Sequence, residues 1–183
     1  MKTVGELVQE AIDFMNAGLY EAAFVPACAA IGETARKSFD GAENYQRFIR
    51  ENWQLISFMG LPRALPLPLN VPFALKRIVP SFNSHHGAKE IIFHLVQQTL
   101  ATGKMPAQFA FAATDVFEIK RNRLLLPLSL LGGLLGVVIV QPINKNEIID
   151  DKYWMNIADF KMFISELWGR IDLAERIMKF YLE

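Results

Sequence analysis

One run of this chain carries no charged residue for twenty positions: LLLPLSLLGGLLGVVIVQPI, from Leu124 to Ile143. A fold must bury it in protein or place it in lipid. The basic group Lys120-Arg121-Asn122-Arg123 just ahead of it would suit the flank of a membrane span. Pro127 and Pro142 argue the other way, because they confine an uninterrupted helix to Leu128–Val140. At 1.5 Å per residue that is about 20 Å, well short of the roughly 30 Å of bilayer hydrocarbon. The run is therefore expected as a buried core helix, with no membrane span. Gly132, Gly133 and Gly136 lower its helix propensity and predict close packing on that segment. They do not make a phosphate loop, since no Lys-Ser/Thr pair follows them.

A core helix needs partners, and the rest of the chain supplies them. Thr3-Val4-Gly5-Glu6 has the pattern of a capping box, and Val4, Leu7, Val8, Ala11, Ile12 and Met15 recur at helical spacing up to Gly18. A second helix is expected over about 20–38, forming an antiparallel hairpin with the first; its alanines permit close approach. Pro26 inside it predicts a kink or a later start. A third helix is expected from Glu43 to Met59, stopped by Gly60 and Pro62. Five of the nine prolines fall between Leu61 and Phe82, at 62, 66, 68, 72 and 80. That segment is apolar as well as proline-rich, which predicts an ordered loop over the core rather than a linker. A fourth helix follows from about His86 to Ala101. Segments 111–119 and 123–126 around Lys120-Arg121-Asn122 read as a β-hairpin. Beyond the apolar run, Ile157, Phe160, Ile164, Leu167, Ile171, Ala174, Met178 and Tyr181 step by three and four, predicting one C-terminal helix of about 25 residues.

The predicted fold class is thus α+β, mainly helical: a helical bundle with one β-hairpin and an ordered proline-rich loop. Its 183 residues, 52% of them apolar, suit a single domain. Within it, residues 1–60 and 84–103 form the bundle core, 61–83 the loop, 106–127 the hairpin, and 128–183 the buried helix and the long C-terminal helix. The a/d spacing of that last helix suits a bundle seam or, in its sharper form, a homodimer.

Charge narrows the choice of partners. Lys and Arg number 19 against 19 Asp and Glu, so no global field draws the protein to nucleic acid or to anionic lipid. A local contact with phosphates remains open at Lys120, Arg121 and Arg123, on the expected hairpin tip. The single cysteine, Cys28, excludes an intrachain disulfide and lies among alanines, where a buried core thiol is expected. With no secretion signal at the start of the sequence, a reducing cytoplasm is the expected setting.

All three histidines fall in SHHGAKEIIFH, at 85, 86 and 94. His86, Glu90 and His94 stand at i, i+4 and i+8, one helical face drifting by about 40° per step. Two turns span about 12 Å of axis, too far for all three to meet one ion on a straight helix. No H-E-x-x-H or cysteine-containing zinc pattern is present, so no metal or other cofactor is expected. No G-x-S-x-G serine motif occurs either. If the chain is an enzyme, the candidate catalytic residues are His94, His86, Glu90 and Arg50, acting as a metal-independent ribonuclease. A small metal-binding protein using the same histidines is the other alternative.

The hairpin FMNAGLYEAAFVPACAAIGETARKSF, followed by two further helices ending in HLVQQTLATG, resembles the HEPN-like helical superfamily over residues 1–103. The resemblance implies a four- to five-helix bundle of the kind found in toxins, abortive-infection proteins and RNA-processing factors. It also implies dimerisation and metal-independent RNA cleavage at a paired R-x4–6-H motif. Here no arginine stands four to six residues before a histidine, and Arg77 and His85 have seven residues between them. The resemblance then implies a scaffold that has kept its bundle and lost its nuclease. The expected function is a non-catalytic interaction or regulatory protein of a bacterial-type defence or stress system.

Overall fold

The computed structural model describes residues 2–41, 44–61, 76 and 87–183. Apart from Leu61 and Lys76, the expected proline-rich loop lies outside the described residues, as do His85 and His86. Among the described residues the protein is a mainly helical α+β fold, with a small three-stranded sheet and a separate β-hairpin.

Helix α1 (Val4–Asn16) begins where its capping box sets it. Thr3 Oγ1 accepts from the Glu6 N–H at 3.1 Å, and Glu6 returns Oε2 to the Thr3 N–H at 2.7 Å. Two donors that the first turn would leave unpaired are thereby satisfied. The helix ends on Gly18 at φ +74, with the Gly18 N–H on Met15 O and the Leu19 N–H on Phe14 O, a Schellman closure. The chain turns at once into α2 (Tyr20–Ser38), which packs back along α1. The later start allowed by Pro26 does not occur: α2 begins at Tyr20 and carries a buried Pro26 inside it. Ala23, Phe24, Ala27, Ala30 and Ile31, all fully buried, hold both halves of α2 in one core. That burial offsets the hydrogen bond the proline cannot make.

The single helix expected over 43–59 is two, α3 (Asn44–Glu51) and α4 (Trp53–Gly60). Asn52 stands between them. Its Nδ2 donates to Phe48 O at 2.9 Å, and its Oδ1 accepts from Gln141 Nε2 at 2.8 Å. An asparagine that turns its amide onto the preceding turn competes with helix continuation. Next comes α5 (Ala88–Thr102), closed by Gly103 in the left-handed region.

The small sheet has the order β1 (Phe109–Ala112), β3 (Arg123–Pro127), β2 (Glu118–Lys120). The expected hairpin is present as β2–β3, joined by Arg121 and Asn122, both at positive φ. Phe109–Ala112 is not part of that hairpin strand. It runs parallel to β3 on the opposite edge, Phe109 level with Leu124. Strand β3 leads into α6 (Ser129–Val140), the expected core helix. From Leu130 to Val140 nearly every side chain of α6 is buried, against α2 and α4 above all. No helix of the described residues is long and apolar enough to cross a membrane.

The long C-terminal helix is not formed. In its place come a β-hairpin, β4 (Trp154–Ile157) with β5 (Phe160–Phe163), a short 3-10 turn at Ile164–Glu166, and α7 (Ile171–Leu182). Ala158 at φ +52 helps make the tight hairpin turn, pairing Ile157 with Phe160. Gly169 at φ +74 precedes α7, its N–H on Ile139 O at 3.0 Å. A Cβ there would lie 2.6 Å from the Lys145 Cβ, so the turn tucks against the chain leaving α6. Steps of three and four in a segment this rich in apolar residues also satisfy short strands, and the turn residues decide the matter.

Candidate functional site

The residues that sequence alone marks for chemistry are placed unevenly. Glu90 closes the first turn of α5, its Oε2 accepting from the Gly87 N–H at 2.9 Å, so its carboxylate serves as a helix cap. His94 is half-buried one turn further along α5, and Arg50 is exposed on α3. The two helices pack against one another, which brings their faces together. His86 falls outside the described residues. Among the described residues no group of three or more His, Cys, Asp or Glu side chains could hold a metal ion.

Cys28 is fully buried in α2. Burial pushes its thiol well above the ordinary range, and the Thr99 hydroxyl only partly opposes this. A thiol held protonated is a poor nucleophile. At the β2–β3 turn, Arg123 is spent internally: Nε donates to Ala107 O at 3.0 Å and a terminal nitrogen to Phe109 O at 2.8 Å. Lys120 and Arg121 stay exposed at that turn.

A different surface stands out. The β4–β5 hairpin and the end of α7 place Trp154, Phe160, Phe163, Phe180, Tyr181 and Leu182 at the surface, Phe180 72% exposed and Leu182 71%. Tyr181 organises it. Its ring lies 6.4 Å from Phe160, 5.6 Å from Phe180 and 6.0 Å from Phe58 of α4, and its hydroxyl donates to Asp159 Oδ2 at 2.7 Å. That hydrogen bond first, and burial second, raise the Tyr181 pKa. Lys161 stands 3.7 Å from the Trp154 ring centroid, a cation–π contact on the same hairpin. Six exposed apolar side chains, three of them on the hairpin and three at the end of one helix, exceed the scattered exposure normal for a protein surface.

Behind the hairpin lies a cavity of about 360 Å³ between α1, α4, α6 and β4. Its wall is largely apolar, and Lys152, Asn16 and Asn156 stand among its polar residues. The Tyr153 hydroxyl donates a hydrogen bond to Asp13 Oδ1 of α1, tying the start of the hairpin segment to the first helix. That bond, then burial, raises the Tyr153 pKa, so the phenol stays protonated. Lys152 Nζ lies 3.3 Å from Asp150 Oδ2 and 5.0 Å from the Tyr153 ring. Sequence reasoning passed over both features. The available signal was aromatic density, with Tyr153, Trp154, Phe160 and Phe163 falling within eleven positions.

A family model described as Rv1289 matches residues 3–182. The "Uncharacterized protein Rv1289" of Mycobacterium tuberculosis (strain ATCC 25618 / H37Rv) is 25% identical over 188 residues, an alignment covering 96% of this chain and 88% of the relative. "Uncharacterized protein Mb1320" of Mycobacterium bovis (strain ATCC BAA-935 / AF2122/97) matches with the same identity and coverage. No solved structure matches.

Proposed function

The chain belongs to the Rv1289 family, and from that premise we propose that it is a non-catalytic interaction protein that self-associates through the aromatic face of its C-terminal hairpin and last helix. One observation carries this reading: Phe160 and Phe180 are exposed with their rings against a Tyr181 that is itself fixed by Asp159, and the exposed Leu182 follows it in the chain. Aromatic side chains in a fixed geometry are the anchors that interfaces use.

A second copy is the occupant that the charges favour. Along α7, Asp172 and Glu175 come first and Arg176 and Lys179 after, all exposed. A two-fold antiparallel contact sets the acidic half of one α7 opposite the basic half of its copy, exchanging the exposed Asp172–Arg176 pair within each helix for pairs across the contact. The HEPN-like scaffold in a defence or stress setting rests on the antiparallel pair of α1 and α2 alone, and the single buried cysteine suits a reducing compartment. Contact between α3 and α5 is what favours the ribonuclease alternative, through Arg50 and His94; a panel of RNAs incubated with and without EDTA tests it.

Sedimentation velocity over a range of concentrations tests self-association. The expected result is a reversible dimer that the Phe160→Asp and Phe180→Asp variants convert to monomer while circular dichroism is unchanged. A wild-type chain that stays monomeric at every concentration, or a dimer indifferent to both substitutions, overturns the proposal.

A further inference from the structure

The three glycines of α6 are not alike. A Cβ at Gly133 would lie 2.7 Å from backbone atoms of Gly60, and one at Gly136 2.9 Å from the Met155 Cε and 3.0 Å from the Met59 Sδ. Close packing accounts for both. A Cβ at Gly132 would meet nothing within 4 Å, and its φ lies outside the left-handed region. Neither packing nor backbone conformation calls for glycine there, although glycine in a helix interior is disfavoured relative to alanine. Gly132 does line the cavity behind the hairpin. Its missing side chain keeps that space open.

The rest of the wall suits a guest of defined chemistry. Ile12, Leu135 and Ile139 give fixed apolar surface, while Met15, Met59 and Met155 add flexible thioethers that adapt to the shape of a ligand. At about 360 Å³ the cavity falls near the small end of the range for ligand pockets, roughly 300–1,000 Å³. Among the described residues lining it, Lys152 alone bears a charge, and its ion pair with Asp150 is solvent-exposed on both sides and easily exchanged.

Among the described residues, the edge of β4 away from β5 is unpaired and adds donors. Consecutive residues Trp154, Met155 and Asn156 of β4 all line the cavity, as a strand presenting its backbone edge does, since alternate side chains point opposite ways. The Ile164 N–H donates to Tyr153 O at 3.1 Å, which makes Tyr153 and Ile164 a hydrogen-bonded pair. By the alternation of an antiparallel ladder, Trp154 opposite Phe163 and Asn156 opposite Lys161 are non-hydrogen-bonded pairs. Their backbone N–H groups therefore point away from β5, along the edge that borders the cavity.

We propose that this cavity binds a small amphiphile, its apolar body between α1, α4 and α6 against Gly132 and its anionic head at Lys152 and the outer edge of β4. The site shares Trp154 with the aromatic surface, but neither Phe160 nor Phe180 lines it.

Decanoate, used as the probe below its micelle concentration, tests this by isothermal titration calorimetry on the full chain, with decanol and decyltrimethylammonium for comparison. Decanoate is expected to bind saturably, one per chain, more tightly than decanol and far more tightly than the cationic analogue. Lys152→Gln should weaken decanoate about two- to five-fold, the span expected for one exposed charge, and leave decanol unchanged. Gly132→Leu should fill the space and weaken both by at least about tenfold. If Gly132→Leu does not fold, Ile12→Phe fills the same space from the opposite wall. Wild-type binding no tighter than that of the filled variant, or equal binding of decanoate and decyltrimethylammonium, overturns the proposal.

Discussion

Gly60 and Gly133 meet backbone to backbone where α4 crosses α6: a Cβ added at Gly133 would stand 2.7 Å from both the Cα and the N of Gly60. The contact is stitched alongside by Ser129, whose hydroxyl donates to Gly60 O at 2.7 Å and occupies a carbonyl at the end of α4. Because the opposing atoms are main chain, no rotamer change relieves the clash. Gly133→Ala should therefore cost about 1–3 kcal/mol in urea denaturation, as overpacking does, despite the better helix propensity of alanine. Its neighbour gives the opposite sign. Gly132→Ala meets open space and should stabilise the chain by up to about 1 kcal/mol. Equal effects at the two positions would show that α4 and α6 are not in this contact.

Glu147 ties the segment after α6 to the start of α1 and the end of α2. Its Oε2 accepts from the Gly5 N–H at 2.8 Å and its Oε1 from Lys37 Nζ at 2.7 Å. Burial, the largest single influence, pushes the carboxyl up. The hydrogen bonds from Lys37 and Gly5, with the lysine's charge, outweigh it and hold the pKa below the ordinary range. A carboxyl depressed in the folded state adds stability that is complete above its unfolded value, about 4.3, and fades as pH falls through the folded value. Glu147→Gln should therefore cost about 1 kcal/mol at neutral pH, in line with a lost charge-assisted bond, and the difference should shrink below about pH 4.3. Denaturation of both proteins from pH 7 to pH 3 measures it. A gap that widens with acid would contradict the sign.

How much of this was legible in the sequence follows from the range of the forces involved. The cap at Thr3 and Glu6, the stop at Gly18 and the length of the helix between Pro127 and Pro142 are local, and each stands where the residues put it. The amide of Asn52 that interrupts the helix is held by Gln141, distant in sequence, and no periodicity around residue 52 announces it. The segment after Ile157 misled for another reason. Ile157, Ile164, Leu167, Ala174 and Met178 are all buried as a helical stripe would have them, yet two strands, a turn and a shorter helix present the same residues to the core. Phe160 and Tyr181, of the same stripe, face outward into the aromatic surface. The candidate sites were the least legible part, because Gly132, Lys152, Met59 and Ile12 come from separate segments and share no spacing.

Leu167 shows that burial survives a wrong element. It lies just past the short 3-10 turn rather than in a long helix, and it has no exposed surface. Leu167→Ala should cost about 2–5 kcal/mol in chemical denaturation, the range for a large-to-small change in a core that cannot fully collapse. A loss under about 0.5 kcal/mol would place this side chain in water.

The β2–β3 turn sets backbone strain against surface charge. Arg121 at φ +51 and Asn122 at φ +60 are the two central residues of a two-residue connection, both in the left-handed region, as a type I′ turn requires. Asparagine tolerates that region; an arginine there brings its Cβ close to the following carbonyl, at a cost of about 1–2 kcal/mol. Arg123, the neighbouring cation, already anchors β3 to the carbonyls of Ala107 and Phe109, so the hairpin does not need Arg121 for its register. Replacing the pair as Arg121→Asn with Asn122→Gly installs the sequence this turn prefers and removes one exposed cation. The double variant should be more stable by about 1 kcal/mol, read as a higher urea midpoint at unchanged slope. A lower midpoint would mean that the arginine side chain holds the turn through contacts worth more than the strain of its backbone.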